Sequence, residues 1–292
     1  VRSDSAEYGI WSCTDSASTV RMLGRAGYDY VCLDLQHGLA DPADLHQLAW
    51  SVRAGGSRCV VRVPWNRPEH IMRAVDLGAQ RVVVPMVESA HEARRAVDAT
   101  RYPRAGTRSW GPLWPSESPE PQDAEVECFV MVETRAGLDA VDAIAATPGL
   151  AGIYIGPNDL ALAAGHGRAT YDTDPGVDAM LTRVVAACRA AGITAGLHCS
   201  SVAMAAHWAA RGVAMLTAAT DHVLLEHAVR GTAAALPAGR VPRPATPDGR
   251  AGYYGPSVGA GRPGAPALTP STPTTTSTPP RTSRSAGGSR CA

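Results

Sequence analysis

The stretch CFVMVETRAGLDAVDAIAATPGLAGIYIGPNDLA, Cys128 to Ala161, holds the unit from which most of the chain is built. It opens on a short β-rich run, Cys128–Val132, and breaks at Glu133 and Thr134. An Ala-rich run, Arg135–Ala146, follows with helical character, then a second apolar run, Ala151–Gly156, and a second helix from about Asp159. Short β-branched and aromatic runs alternating with Ala-rich amphipathic runs read as strand, helix, strand, helix, and such alternation implies a parallel sheet.

The same rhythm extends in both directions. Upstream lie strands at Tyr8–Cys13, Tyr30–Leu35, Arg58–Val63 and Arg81–Val87. Helices are expected at Ala17–Arg25, Pro42–Arg53, Pro68–Leu77 and Ala90–Ala99, with Pro68 well placed in a first turn. Downstream come a helix at Gly176–Ala191, a strand in ITAGL, a helix at Ser201–Arg211, a strand in VAMLTA and a last helix at Asp221–Ala235. Eight strand–helix pairs in roughly 230 residues predict an α/β fold of the TIM type, a (β/α)8 barrel. The alternative is a doubly wound open sheet, but the GxGxxG fingerprint is absent after the first strand.

Residues 1–236 are expected to form the barrel domain. Residues 237–292 are dense in Pro, Thr, Ser, Gly and Arg and poor in apolar side chains, so they are expected to be a disordered tail. The chain begins without Met and almost at its first strand, which suggests that a leading helix is missing.

Composition narrows the function. Apolar residues make up 45% and charged residues 18%, with zero formal net charge, so no basic surface for nucleic acid or membrane is indicated. No apolar run is long enough to span a membrane, and VRSDSAEYGI has no apolar signal core; a cytoplasmic location follows by default. The seven cysteines form no CxxC pair, and Cys32, Cys59 and Cys128 sit in apolar strands, where they read as small buried hydrophobes. Lysine is absent. Schiff-base chemistry is thereby closed to this sequence, and carbonyl activation would fall to a metal ion.

Chemistry in a barrel of this type sits at the C-terminal ends of the strands. Those ends carry Asp34, Gln36 and His37 after the second strand, Arg62 in the third, Glu133 after the fifth, Asp159 after the sixth and His198 after the seventh. Asp159 could equally cap its helix, and His198 reads as a satisfied polar residue. Arg62 lies between valines and needs an anionic partner from the protein or from a ligand. Glu133 and Asp159 on successive strand ends suit one hard divalent cation. Arg62 could meet a substrate carboxylate or an enolate oxygen, and His37, oriented by Asp34, could move a proton near neutral pH. A metal, a fixed cation and an acid/base group are what enolising a 2-oxo acid without lysine requires.

On these residues the sequence resembles the HpcH/HpaI family of metal-dependent pyruvate aldolases. AGYDYVCLDLQHG resembles the family's AGFDWxxxDxEHG segment. VVRVPWNRPEHIMRAVDLGAQRVVVPMVESAHEARRAV resembles its arginine strand and following helix, and RYPRAGTRSWGP its RYPPxGxRGxG loop. The stretch from Val130 to Ala161 resembles its paired metal-carboxylate segments. The match spans roughly Tyr8 to Ala235.

The resemblance implies that Glu133 and Asp159 bind Mg2+ or Mn2+, with Co2+ a further candidate. It implies that Arg62 contacts pyruvate and stabilises the enolate, and that His37, supported by Asp34, serves the acid/base steps. The backbone of Gly156, Pro157 and Asn158 would cradle the pyruvate carboxylate, Gln36 would border the substrate, and Arg108 would lie on the aldehyde side. The implied reaction is reversible cleavage of a 4-hydroxy-2-oxo acid to pyruvate and an aldehyde, in a homo-oligomer of three or six barrels. Oxaloacetate-type decarboxylation, cleavage of a CoA ester, and a catalytically silent barrel used for binding or assembly are the alternatives. Two departures stand out: Gln36 where the aldolases often have Glu, and Met131 where some members have Gln. The loop from Leu113 to Glu125 is also rich in Pro and acidic residues.

Overall fold

The computed structural model describes residues 6–111 and 126–236. The expected tail, 237–292, and the acidic Pro-rich loop, 113–125, lie outside the described residues. Eight parallel strands close into a barrel in chain order, β1 pairing with both β2 and β8. They are β1 (Glu7–Ser12), β2 (Tyr30–Asp34), β3 (Arg58–Arg62), β4 (Arg81–Val84), β5 (Glu127–Val132), β6 (Gly152–Ile155), β7 (Thr194–His198) and β8 (Met215–Thr220).

The helices between them are α1 (Ala17–Gly24), α2 (Leu45–Gly55), α3 (Pro68–Asp76) and α4 (Ala90–Asp98) in the first half. The second half carries α5 (Arg135–Asp139), α6 (Val141–Ala145), α7 (Pro157–Ala163), α8 (Pro175–Ala191), α9 (Val202–Ala209) and α10 (Asp221–Ala234). The single helix expected over Arg135–Ala146 is two short ones that meet at Ala140. Helix α7 starts at Pro157, two residues before the expected point, because proline's fixed φ suits a first helical position.

Alternate strand residues face the barrel interior, where they stack in layers. The floor is ionic: Arg81 bonds Glu7 at 2.8 Å and Glu127 at 2.6 Å, and Arg58 bonds Glu7 at 2.9 Å. Above it, Tyr30 and Tyr154 share the Thr217 hydroxyl at 3.2 and 2.6 Å, among Val60, Val83, Phe129 and Met131. Aromatic rings fill this layer because glycines face them. A Cβ on Gly9 would fall 2.2 Å from the Tyr30 ring, and one on Gly196 would fall 2.6 Å from Tyr154. Outside the strands, Val, Leu, Ile and Ala side chains pack the sheet against the helices. Cys32, Cys59 and Cys128 are buried and free, as their apolar settings suggested. Among the described residues no helix is long and apolar enough to cross a membrane.

Candidate active site

The partner that Arg62 needed is Asp34. Strands β2 and β3 place the two side by side in register, and Arg62 Nε and Nη2 donate to the two carboxylate oxygens at 2.9 and 2.6 Å. Both side chains are buried. The Asp34 carboxylate also accepts the Trp11 indole N–H at 3.1 Å and the backbone N–H groups of Gln36 and His37 at 3.0 and 3.2 Å. Burial alone would raise the Asp34 pKa, but the hydrogen bonds and charge of Arg62 outweigh it and hold the group below the usual carboxylate range. Burial likewise works against the Arg62 charge, and Asp34 overrides it, so the guanidinium is held even more firmly protonated. The guanidinium also lies 5.0 Å from the Trp11 ring centroid. Asp34 holds the backbone of His37, and its charge is matched to Arg62. The His37 side chain is exposed at the mouth.

Glu133 stands one residue beyond β5, buried, and its Oε1 accepts the Met86 backbone N–H at 2.7 Å. Met86 adopts φ 57°, a left-handed conformation that is costly for a side chain with a Cβ. That turn, just beyond β4, aims the amide at the carboxylate. On the other side Gly156 makes room: a Cβ there would fall 2.7 Å from Glu133 Oε2. Burial is the main reason the Glu133 pKa is raised; the negative charges of Asp159 and Asp34 add to it, and the Met86 amide and Arg62 oppose it. Asp159 lies in the first turn of α7, exposed, and is not its cap; Gly156 holds the cap position, with no side-chain capping bond. Arg62 is engaged by Asp34, and the charge of Asp159 acts on the buried Glu133 carboxylate. Two carboxylates of this kind fit a hard divalent cation.

Pro157 and Asn158 open α7 beside Gly156, so the expected carboxylate cradle lies in the same turn as Asp159 and next to Glu133. Gln36 is half-buried, and among the described residues its buried Oε1 has no hydrogen-bond partner. Arg108 is placed differently from the expectation. It follows α4 and precedes β5, and helix-to-strand connections lie at the N-terminal face of such a barrel, opposite the strand ends that hold Glu133. There it is buried, bonded to Asp76 at the end of α3 at 2.7 Å and stacked 4.4 Å from the Tyr102 ring. Asp76 and Tyr102, to which it is tied, are not among the expected site residues.

Two further side chains stand at the mouth: Trp11, which the sequence did not single out, and His198, which it read as a satisfied polar residue. Trp11, near the end of β1, links Asp34 to the barrel wall. His198, the last residue of β7, meets the Trp11 ring edge-on at 5.0 Å. Burial, then the nearby Arg62 charge, lowers the His198 pKa to about 4. The alternation Thr194, Gly196, His198 was the signal, since it points residue 198 inward. A third group joins the ends of β1 and β8: Cys13, Asp221 and His222 bring their ligand-type atoms within 4.8 Å of one another. The Asp221 carboxylate, however, accepts the Ser12 hydroxyl at 3.0 Å and the backbone N–H groups of Cys13 at 3.0 Å, Thr14 at 3.2 Å and His222 at 2.6 Å. Those bonds make it a clasp across the closing seam of the barrel.

The barrel brings Glu133 beyond β5, Asp159 in the first turn of α7 and the buried Arg62 to the C-terminal ends of its strands. The profile of the HpcH/HpaI aldolase/citrate lyase family matches residues 7–228, and the chain belongs to that family. It is 32% identical over 234 residues to a 2-dehydro-3,6-dideoxy-6-sulfogluconate aldolase from Pseudomonas putida, covering 77% of this chain and 90% of the relative. It is 36% identical over 203 residues to a 5-keto-4-deoxy-D-glucarate aldolase from Salmonella paratyphi C, covering 65% and 77%. The crystal structure of a family member from Burkholderia cenocepacia superposes with a TM-score of 0.74 at 31% identity, covering 79% of this chain and 94% of that one. Membership places the chain among aldolase-type lyases.

Proposed function

We propose that the chain is a divalent-metal-dependent aldolase that reversibly cleaves a 4-hydroxy-2-oxo acid to pyruvate and an aldehyde. The observation that carries this reading is the buried Glu133 carboxylate, disfavoured as an anion by its burial and by Asp159, in a sequence without lysine. Glu133 and Asp159 would hold Mg2+ or Mn2+, with Co2+ as a further option. When bound, such an ion supplies a Lewis acid that polarises the 2-oxo group and favours the enolate.

The remaining roles belong to the chain's own side chains. The Asp34 pair engages Nε and Nη2 of Arg62 and fixes the guanidinium plane, so its charge is in place before negative charge develops on the substrate oxygen. His37, exposed at the mouth with its backbone anchored by Asp34, is the candidate to take the proton of the 4-hydroxyl and return one in the reverse direction. The Gly156–Asn158 backbone would receive the pyruvate carboxylate. Both curated relatives are named for deoxy-oxo sugar acids, which supports a polyhydroxylated 2-oxo acid as the substrate class.

Assembly into a homo-oligomer of three or six barrels is part of the proposal. Helix α10 supports it: of its residues only Asp221 is buried, while Leu224, Leu225 and Val229 are exposed. Sedimentation velocity reads the oligomeric state directly.

The chemical test is pyruvate release from 4-hydroxy-2-oxo acids before and after complete metal removal. Turnover should vanish with EDTA and return with Mg2+ or Mn2+. Glu133→Ala and Asp159→Ala should each lose both metal and turnover. Turnover that survives removal of all metal would refute the reading.

A further inference from the structure

We propose that His198 is a substrate-binding residue of this site, donating a hydrogen bond from its imidazole to the carboxylate of the 2-oxo acid. The inference rests on the aldolase reading above and assigns a residue to it.

Position comes first. β6 and β7 pair in parallel with Ile155 opposite Leu197, so the next residues, Gly156 and His198, emerge side by side at the mouth. Gly156 is where the expected carboxylate cradle begins, and it faces Glu133. The inward alternation of β7 turns residue 198 to the same side as Gly156. The imidazole packs edge-on against Trp11 at 5.0 Å, and the Arg62 guanidinium lies 5.0 Å from that same indole. Trp11 is tied to Asp34, so the ring that supports His198 is itself fixed. The imidazole therefore stands on the wall between the Arg62–Asp34 pair and the start of α7.

Chemistry comes second. Burial and Arg62 keep His198 neutral at neutral pH. A neutral imidazole has one N–H donor and one acceptor. It can bond an anionic oxygen without adding a second positive charge beside Arg62. Met131 supplies the complementary observation: it is buried, and its terminal methyl would lie 3.2 Å from a Cβ at Gly156. This part of the wall therefore presents a thioether, and His198 is the adjacent strand-end side chain able to donate.

The test uses full-length enzyme loaded with Mg2+ and follows deuterium exchange into the pyruvate methyl group, which requires no aldehyde. His198→Leu should raise the pyruvate KM about 10–100-fold with kcat little changed, as loss of one hydrogen bond to a charged group predicts. His198→Gln retains a donor and should recover most of the affinity. Oxalate, as a competitive probe, should lose affinity in parallel with pyruvate. Equal KM in wild type and both variants would overturn the assignment, as would a fall in kcat with KM intact, or failure of Gln to do better than Leu. If wild type itself shows no metal-dependent exchange, the aldolase reading fails and this assignment falls with it. Exchange in wild type with unchanged variants sinks the assignment alone.

Discussion

Removing the Asp34 carboxylate should destabilise the protein severely, and removing Arg62 with it should restore part of the loss. In Asp34→Ala the Arg62 guanidinium, whose side chain is 7% exposed, loses two hydrogen bonds and its counter-charge. The Trp11 indole N–H loses its acceptor at the same time. Stranding one member of a buried pair costs about 3–5 kcal/mol. For a barrel of this size that corresponds to a Tm lower by roughly 10 °C. Arg62→Leu should cost less, because Asp34 keeps three N–H donors from Trp11, Gln36 and His37. The double variant leaves no uncompensated guanidinium, so its loss should fall short of the sum of the single losses by about 2–3 kcal/mol. Calorimetry on metal-free wild type and the three variants at pH 7 measures the cycle. Additive losses would refute the claim that these groups form one electrostatic unit. The cycle also has a pH signature. The Asp34 pKa is lowered on folding, so its contribution is present above the unfolded-state value and is lost as pH falls through the folded value. The gap between wild type and Asp34→Ala should therefore be full at neutral pH and narrow in strong acid.

Glu133 has the opposite sign. Its folded pKa is raised by burial, so its ionisation costs the metal-free protein stability above that pKa. Metal-free Glu133→Gln should melt higher than wild type at pH 7, with the difference shrinking in acid, while metal binding and turnover are lost; a lower Tm would contradict the assigned cause. Gly156→Ala keeps an accessible backbone geometry, φ −93°, but sets a methyl 2.7 Å from Glu133 Oε2, so metal affinity by titration calorimetry should fall about 10–100-fold with the fold intact. Trp11→Phe keeps a ring against His198 but removes the 3.1 Å bond to Asp34, and should cost about 1.5–3 kcal/mol in thermal unfolding. An unchanged Tm would mean that this hydrogen bond contributes nothing to holding the Asp34–Arg62 pair.

What the sequence determined by itself was the architecture and the chemical parts. Apolar periodicity is a local property, so the strand–helix rhythm could be read along the chain, and with it the strand ends where Glu133, Asp159 and Arg62 lie. The absence of lysine is a compositional fact with a direct chemical consequence. Tertiary structure decided which parts meet. Asp34 and His37 are three residues apart and looked like a pair, yet the carboxylate bonds Arg62, 28 residues away, because the β2–β3 register sets them side by side. Arg108 was expected on the aldehyde side, and the fold ties it to Asp76 and the Tyr102 ring. Trp11 and His198 carried no motif; barrel closure brings β1 and β7 to the same mouth and sets their rings 5.0 Å apart. Gly156 owes its role to the side chain across from it, the Glu133 carboxylate, which leaves no space for a methyl group. The inward turn of His198 was legible in the alternation of β7; which groups then meet depends on strand register and closure, which arise from pairing between distant segments.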